Sequence, residues 1–213
     1  MAYEYLVFDL DGTLSDPKVG ILHSTNFALA RFGYPPLRAD AVDAYIGPPL
    51  DFAFRQITGS EDDASIQALI AGYREAYARV GYAENTLYPG IASVLETLSQ
   101  ADVKLAVCTS KRVDFAESIL KLHRIRHHFT FVDGGDVGIP KYRQLHQLIK
   151  NGVLSENAVM VGDRDIDLVA ARRNGLASAG VTWGYGSREE LTREHPTHLF
   201  EEPGQLVELA GST

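Results

Sequence analysis

Two carboxylates stand close together near the start of the chain, in the segment LVFDLDGTL at 6–14. Asp9 and Asp11 follow an apolar run and lead into Gly12 and Thr13, which are ordinary turn residues. A turn alone would explain them. The same pair also allows chemistry, because one Asp can attack phosphorus while a second donates and accepts protons.

Polar side chains follow several later apolar runs in the same way. They are Thr109, Ser110 and Lys111 after KLAV, Lys141 after FTFVDGG, and Asp163 and Asp167 in AVMVGDRDID. If the runs are parallel strands, their carboxyl ends share one edge of a sheet, where a site normally lies. We therefore expect these side chains to meet, although they are distant in sequence.

Four carboxylates at one edge would repel one another unless a cation offset them. A pair about 4 Å apart costs roughly 4 kcal/mol at an effective dielectric constant of about 20. The positions offer oxygen ligands and no His or Cys, which favours a hard ion, Mg²⁺ above all. A Thr109 hydroxyl and a Lys141 ammonium would suit phosphate oxygens. The pattern predicts a magnesium site shared with a substrate phosphate.

The elements that must position these residues alternate along the chain. Short apolar runs lack strict alternation, as expected of strands buried on both faces. They are YLVFD, KLAVCTS, FTFVDGG, AVMVGD and SAGVTWG. Amphipathic segments such as GIASVLETLSQ lie between them. This order predicts an α/β fold with a doubly wound, mostly parallel sheet.

One interval, 16–83, contains only helical patterns and interrupts this alternation. We predict that it is an inserted all-helical cap domain, and that 1–15 and 84–213 together form the core domain. The predicted helices of the cap are 17–32, 39–45, 50–57 and 64–80. The segment IGPPL at 46–50 is either a rigid substrate-selecting loop or a plain turn between helices.

Composition limits the partners. The 213 residues are 45% hydrophobic and 23% charged, with a formal net charge of −8. An acidic chain is a poor general binder of nucleic acid or anionic membranes. The single cysteine excludes an intrachain disulfide, and neither a signal-peptide pattern nor a membrane-spanning run is visible. We expect a cytoplasmic monomer or weak homodimer that acts on a small phosphorylated metabolite.

The segment DLDGT at 9–13 resembles the DxDGT motif of the haloacid dehalogenase superfamily phosphatases. VCTSK is similar to their second motif, and VGDRDID to their fourth. A helical cap inserted after the first strand resembles the phosphoglycolate-phosphatase-like branch. The resemblance extends over almost the whole chain and implies the same Rossmann-like core with a helical cap.

That resemblance also implies roles for individual residues. Asp9 would be the nucleophile and Asp11 the general acid and base, with Thr109 and Lys141 completing the catalytic set. Mg²⁺ would be held by Asp9, by the Asp11 backbone carbonyl, by Asp163 and, directly or through water, by Asp167. Phosphate or substrate would contact Gly12, Thr13, Ser110, Gly47 and Arg55.

The third motif departs from the family pattern. The family places Lys before Pro, whereas IPKYR here places Pro140 before Lys141. Proline is favoured at the first position of a helix, so Lys141 could still begin a helix and reach inward. Lys111 is the alternative phosphate-binding lysine. The segment GYGS at 184–187 could also bind phosphate, but we expect a flexible loop there.

The leading hypothesis is a Mg²⁺-dependent phosphatase that forms an aspartyl-phosphate and hydrolyses phosphoglycolate, a nucleotide or a sugar phosphate. One alternative is a phosphoryl transferase, such as a sugar-phosphate mutase on the same core. A second alternative is a non-enzymatic, receiver-like domain that carries a phosphorylated Asp. The long cap insertion has no place in a receiver-like design.

Overall fold

The computed structural model describes residues 3–211. The ends of the predicted core domain, 1–2 and 212–213, lie outside the described residues. The chain divides into two compact units. One contains the described residues up to Asp16 and from Leu87 onward, and the other is Pro17–Thr86.

The unit Pro17–Thr86 is helical. Its α-helices are α1 (Lys18–Arg31), α2 (Leu50–Thr58) and α3 (Asp63–Arg79). A 3-10 turn at Val42–Tyr45 lies between α1 and α2, and another at Gly81–Ala83 follows α3. Apolar side chains on α3, including Ile66 and Leu69, are fully buried, as is Leu29 on α1. Amphipathic spacing therefore predicted these three helices correctly.

The predicted helix at 39–45 is wrong. Only the 3-10 turn Val42–Tyr45 forms there. The segment lies between the prolines at 35–36 and the Gly-Pro-Pro run at 47–49. The stretch is too short to form an α-helix, because its few hydrogen bonds do not offset the free-energy cost of helix nucleation. Arg38 instead pairs with Asp40 two residues away.

The other unit is built on a sheet. Within residues 3–211 the strands are β1 (Tyr5–Phe8), β2 (Ser15–Asp16), β3 (Thr86–Leu87), β4 (Lys104–Thr109), β5 (Phe129–Gly134), β6 (Ala158–Gly162), β7 (Ala177–Val181) and β8 (His198–Phe200). Six of these form one parallel sheet in the order β5-β4-β1-β6-β7-β8. The predicted doubly wound parallel sheet is confirmed.

Helices of this unit connect the strands. They are α4 (Ile91–Ser99), α5 (Val113–Leu122), α6 (Lys141–Lys150), α7 (Asp165–Arg173) and α8 (Arg188–Arg193), with 3-10 turns at Arg126–His128 and Pro203–Ala210. Strands β2, β3 and β8 were not predicted, since runs of two or three residues give too little pattern to recognise. No helix within residues 3–211 combines the length and the apolar character needed to cross a membrane.

The centre of the sheet decides where the polar residues lie. Leu6, Val7 and Phe8 of β1 are fully buried, which explains their lack of alternation. Phe8 is paired with Val107 of β4 on one side and with Val161 of β6 on the other. The carboxyl ends of these three strands are therefore level, and the residues after them share one edge.

Candidate active site

The loop after β1 is tight and buried. Asp9 is 3% and Asp11 9% exposed, and the Asp9 N–H donates to the Val161 carbonyl at 2.9 Å. Gly12 follows with φ 83°, a conformation that glycine adopts without strain. A Cβ at Gly12 would come within 2.1 Å of Asp163 Oδ2. The glycine is needed because the loop backbone lies directly against another acid.

Three acids form a buried cluster at this edge. Ligand oxygens of Asp9, Asp163 and Asp167 all lie within 4.8 Å of one another. Asp163 follows β6, and Asp167 lies on the first turn of α7, where its Oδ2 accepts from the Arg164 N–H at 3.1 Å. Both are fully buried. The structure thus brings together acids more than 150 residues apart, as the sequence predicted.

Both candidate lysines reach these acids. Lys141 Nζ lies 2.9 Å from Asp9 Oδ1 and also bonds Asp167 Oδ1. Lys111 Nζ lies 2.8 Å from Asp11 Oδ2. Asp9 and Asp11, in the loop after β1, therefore each have an ammonium partner. Which lysine binds a substrate phosphate stays a prediction.

The altered third motif still delivers its lysine. Pro140 has extended backbone, with φ −67° and ψ 141°, and Lys141 is the first residue of α6. Pro140 therefore occupies the N-cap position. The sequence had suggested that it would be the first residue of the helix. Lys141 is only 4% exposed, so its ammonium is committed to the acid cluster.

Hydroxyl groups complete the edge. Thr13 Oγ1 donates to Asp163 Oδ1 at 3.2 Å. Thr109 is buried at the end of β4, where its Oγ1 accepts from the Lys111 N–H at 3.3 Å. Ser110 follows and is half-buried. Thr13 therefore orients an acid, whereas Thr109 shapes the loop that carries Lys111.

Burial sets the protonation preferences of the acids. It raises the pKa of Asp163 well above its ordinary value, and the neighbouring Asp167 and Asp9 add to the shift. Burial also raises the pKa of Asp167 to about 6, although Lys141 opposes the shift. The pKa of Asp11 is raised by burial against the opposing charge of Lys111. Two lysines do not fully compensate this cluster of acids.

Burial works against the charge of Lys141, but Asp167 and Asp9 outweigh it and raise the pKa of its ammonium. Lys141 therefore stays a cation. The site also fits a further hard cation, because Asp9, Asp163 and Asp167 offer oxygen ligands alone. Asp11 Oδ1 is buried and has no hydrogen-bond partner, which leaves a further oxygen for a cation or substrate.

The sequence expectation for GYGS was wrong. Instead of a flexible loop, residues 184–186 pack against Asp163 of the acid cluster, and Ser187 caps α8. The Tyr185 N–H donates to Asp163 Oδ2 at 2.8 Å, and Trp183 Nε1 donates to the Thr13 carbonyl at 3.0 Å. The available signal was two glycines flanking an aromatic residue between a strand and a helix, which indicates close backbone approach.

Gly47 and Arg55 belong to the helical unit. Gly47 has φ 102° in the loop before α2. Arg55 donates to the Glu61 carbonyl at 3.0 Å and pairs with Asp63. These bonds hold the guanidinium at the start of α3. The predicted contacts of Gly47 and Arg55 with substrate stay predictions.

Residues 6–181 match the family described as haloacid dehalogenase-like hydrolase. Three curated relatives are similar over most of the chain. A 5'-nucleotidase of Pseudomonas aeruginosa is 38% identical over 100% of this chain and 97% of its own length. Tyrosine-protein kinase PtkA of Mycobacterium tuberculosis is 35% identical over 91% and 67%. A phosphoglycolate phosphatase of Vibrio parahaemolyticus is 32% identical over 96% and 94%.

A solved structure, "a predicted phosphatase from Clostridium acetobutylicum", superimposes with a TM-score of 0.90 at 30% identity. The alignment covers 98% of each chain. The parallel sheet, the acid cluster at its edge and these matches agree. The chain belongs to the haloacid dehalogenase-like hydrolase family. Within that family it is an enzyme of the phosphoric monoester hydrolase class.

Proposed function

We propose that the enzyme hydrolyses a small phosphate monoester with Mg²⁺ and forms an aspartyl-phosphate on Asp9. The observation that carries this proposal is the buried group of Asp9, Asp163 and Asp167 with the Lys141 ammonium on Asp9. A carboxylate group of this kind is unfavourable without cations, and it has the ligands that Mg²⁺ prefers.

The first step is attack of an Asp9 oxygen on phosphorus. The Asp9 O–P bond forms while the bond from phosphorus to the leaving oxygen breaks, and Asp11 gives that oxygen its proton. The raised pKa of Asp11, caused by burial, favours the protonated form that this step needs. Lys141 lies beside Asp9 and stabilises negative charge that develops on the phosphoryl oxygens.

The second step regenerates the enzyme. Asp11, now ionised, takes a proton from water, and the water oxygen attacks phosphorus. The Asp9 O–P bond breaks, which releases inorganic phosphate and restores both carboxyl groups. Bound Mg²⁺, held by Asp9, Asp163, Asp167 and the Asp11 carbonyl, would supply charge neutralisation of the phosphate oxygens. Gly12, Thr13, Thr109 and Ser110 would supply donors to the phosphate.

We also propose that the predicted division into a core, 1–15 with 84–213, and a helical cap, 16–83, has a functional meaning. The cap would select the substrate through the loop containing Gly47 and through Arg55. Nucleoside 5'-monophosphates and phosphoglycolate are the first substrates to test, because two of the relatives are named for them. A cytoplasmic location and a monomer or weak homodimer stay predictions.

Phosphoryl transfer is the second candidate function. It is supported by the relative named as a tyrosine-protein kinase. In a transferase the aspartyl-phosphate would be protected from water and passed to another acceptor. Measuring free phosphate against phosphorylated acceptor, with the same substrate panel, separates the two outcomes.

The test of the leading proposal is phosphate release from a panel of metabolite phosphates, with Mg²⁺ or with EDTA. We expect Asp9→Asn to lower the rate by at least about 10³-fold, as loss of a nucleophile does. Asp165→Asn is the matched control, since Asp165 lies at the start of α7 and does not belong to the buried acid group. Undiminished activity of Asp9→Asn, or full activity in EDTA, would end the proposal.

A further inference from the structure

The loop between β7 and α8 contacts the acid that we assign to the metal. This loop, residues 183–187 with the sequence WGYGS, is called the WGYGS loop below. The Tyr185 N–H donates to Asp163 Oδ2 at 2.8 Å, and Thr13 Oγ1 donates to Asp163 Oδ1 at 3.2 Å. Each carboxylate oxygen of Asp163 therefore accepts one hydrogen bond, and the two bonds together orient the carboxylate. Each oxygen also keeps a lone pair that is available to a cation.

The two glycines of the loop permit this approach. A Cβ at Gly184 would lie 2.3 Å from the Asp163 Cβ, and a Cβ at Gly186 would lie 2.0 Å from the Asp163 carbonyl oxygen. No side chain fits at either position without displacing the backbone. The same glycines also leave the loop backbone with little intrinsic stiffness. Its position must therefore be fixed from outside.

Two aromatic side chains provide that fixation. The Tyr185 hydroxyl donates to Asp16 Oδ1, and Trp183 Nε1 donates to the Thr13 carbonyl at 3.0 Å. Tyr88 also hydrogen-bonds Tyr185. Residue 185 is thus held at both ends, with its backbone on Asp163 and its phenol on Asp16.

Asp16 and Tyr88 lie at the two connections between the sheet-containing unit and the rest of the chain. The unit ends at Asp16, and the chain returns to it at Leu87. The Tyr88 N–H donates to the Leu14 carbonyl at 3.1 Å, which joins the two points through the backbone. The phenol of Tyr185 is therefore anchored in the part of the unit where both connections start.

We propose that Tyr185 is a positioning residue for Asp163, and that its bond to Asp16 sets the affinity of the site for its divalent ion. This inference rests on the proposed function, in which Asp163 is a metal ligand. Residues that orient a metal ligand from behind change metal affinity by about 10–100-fold when removed. Tyr185 acts through its backbone N–H, so the lower end of that range applies.

The experiment measures Mn²⁺ binding directly, from the loss of the free-ion electron paramagnetic resonance signal. We expect Tyr185→Phe to weaken Mn²⁺ binding about 10-fold. Asp16→Ala should also weaken Mn²⁺ binding, and the double variant should lose less affinity than the sum of the two single losses, because both substitutions break the Tyr185–Asp16 bond. Asp16→Asn keeps a carbonyl acceptor and should bind nearly as wild type does.

Activity gives the second readout. The half-saturating Mg²⁺ concentration should rise in Tyr185→Phe about as much as the Mn²⁺ dissociation constant does. At saturating Mg²⁺ the KM for substrate should be unchanged and kcat largely restored. Both readouts are taken at a temperature at which the metal-free variant is folded, as checked by thermal unfolding in EDTA, because metal would also restore activity to a partly unfolded variant. Tyr142→Phe is the matched control, since its hydroxyl accepts from Arg143 and takes no part in the loop.

The outcomes are separable. If wild-type protein binds no Mn²⁺, the metal-dependent function itself fails. If wild type binds Mn²⁺ and Tyr185→Phe binds equally well, the positioning role is wrong and the proposed function stands. Additive losses in the double variant would show that Tyr185 and Asp16 act independently. Should Tyr185→Phe fail to fold, Asp16→Ala compared with Asp16→Asn gives the answer.

Discussion

At the scale of single residues, the site is a balance of buried charges. Asp9, Asp163 and Asp167 lie together in the interior, and Lys141 is the ammonium placed between two of them. Lys111 Nζ faces Asp11. The two lysines therefore have different environments, although the sequence offered them as alternatives for one role.

The lysines should respond differently to substitution. Lys141→Met leaves Asp9 and Asp167 without their shared partner, and breaking a buried pair in this way costs about 3–5 kcal/mol. We expect a marked fall in the unfolding temperature of metal-free protein and a loss of phosphate release of about 10²–10³-fold. Lys111→Met, which removes one partner of Asp11, should cost less in stability.

Thermal unfolding in EDTA and phosphate-release assays check this prediction, with Lys150→Met on the exposed end of α6 as the control. Equal losses of stability in Lys141→Met and Lys111→Met would contradict the assignment of Lys141 to the centre of the cluster. So would a Lys141→Met variant that releases phosphate at the wild-type rate.

At the scale of elements, α6 needs a fixed position because it carries Lys141 on its first turn. Gln144, three residues later, is buried and reaches the ends of two strands. Its Nε2 donates to the Thr109 carbonyl of β4 at 3.2 Å and to Asp133 Oδ2 of β5 at 2.9 Å. The amide therefore ties the helix to the strand that carries Thr109.

Gln144→Leu should loosen this attachment. It leaves the half-buried Asp133 carboxyl without the amide partner, so the cost should lie near the lower end of the range of about 1–3 kcal/mol that an unpaired buried acceptor costs. We expect a matching loss of unfolding free energy and a lower kcat with little change in KM. Gln147→Leu, on the exposed face of the same helix, is the control. Denaturant unfolding and steady-state kinetics distinguish the two variants, and identical behaviour would refute the role of Gln144.

Much of the element pattern was predictable. Apolar runs without alternation identified β1, β4, β5, β6 and β7, and helical spacing identified α1, α2 and α3, because burial leaves a periodic signature. Strands β2, β3 and β8 were missed, and the turn at Val42–Tyr45 was misassigned as a helix. Their sequences are too short to carry a period, so packing and neighbouring prolines decide them.

At the scale of the whole molecule, the proposed binding of a divalent ion by the acid cluster predicts that stability depends on metal. A ligand that binds only the folded state stabilises it by about 2.7 kcal/mol at 100 times its dissociation constant. For a chain of this size that corresponds to an increase of roughly 5–10 °C in unfolding temperature. We expect Mg²⁺ to produce such an increase, measured by calorimetry against EDTA.

Asp163→Asn tests the origin of that increase. The substitution removes one of the three clustered carboxylates, so the added stability from Mg²⁺ should be largely lost. The same substitution should raise the stability of metal-free protein, because burial and the neighbouring acids disfavour the charged form of Asp163. A full Mg²⁺ effect in Asp163→Asn would place the ion elsewhere.

The sequence by itself determined the class of fold and the membership of the polar edge. Buried strands require apolar runs, and the residues after parallel strands must share an edge, so Asp9, Asp163 and Lys141 could be grouped without coordinates. Tertiary structure alone decided which partner each group takes. The attachment of Lys111 to Asp11 and of Tyr185 to Asp163 depends on the paths of loops whose side chains meet across long sequence separations, and such contacts leave no period in the sequence.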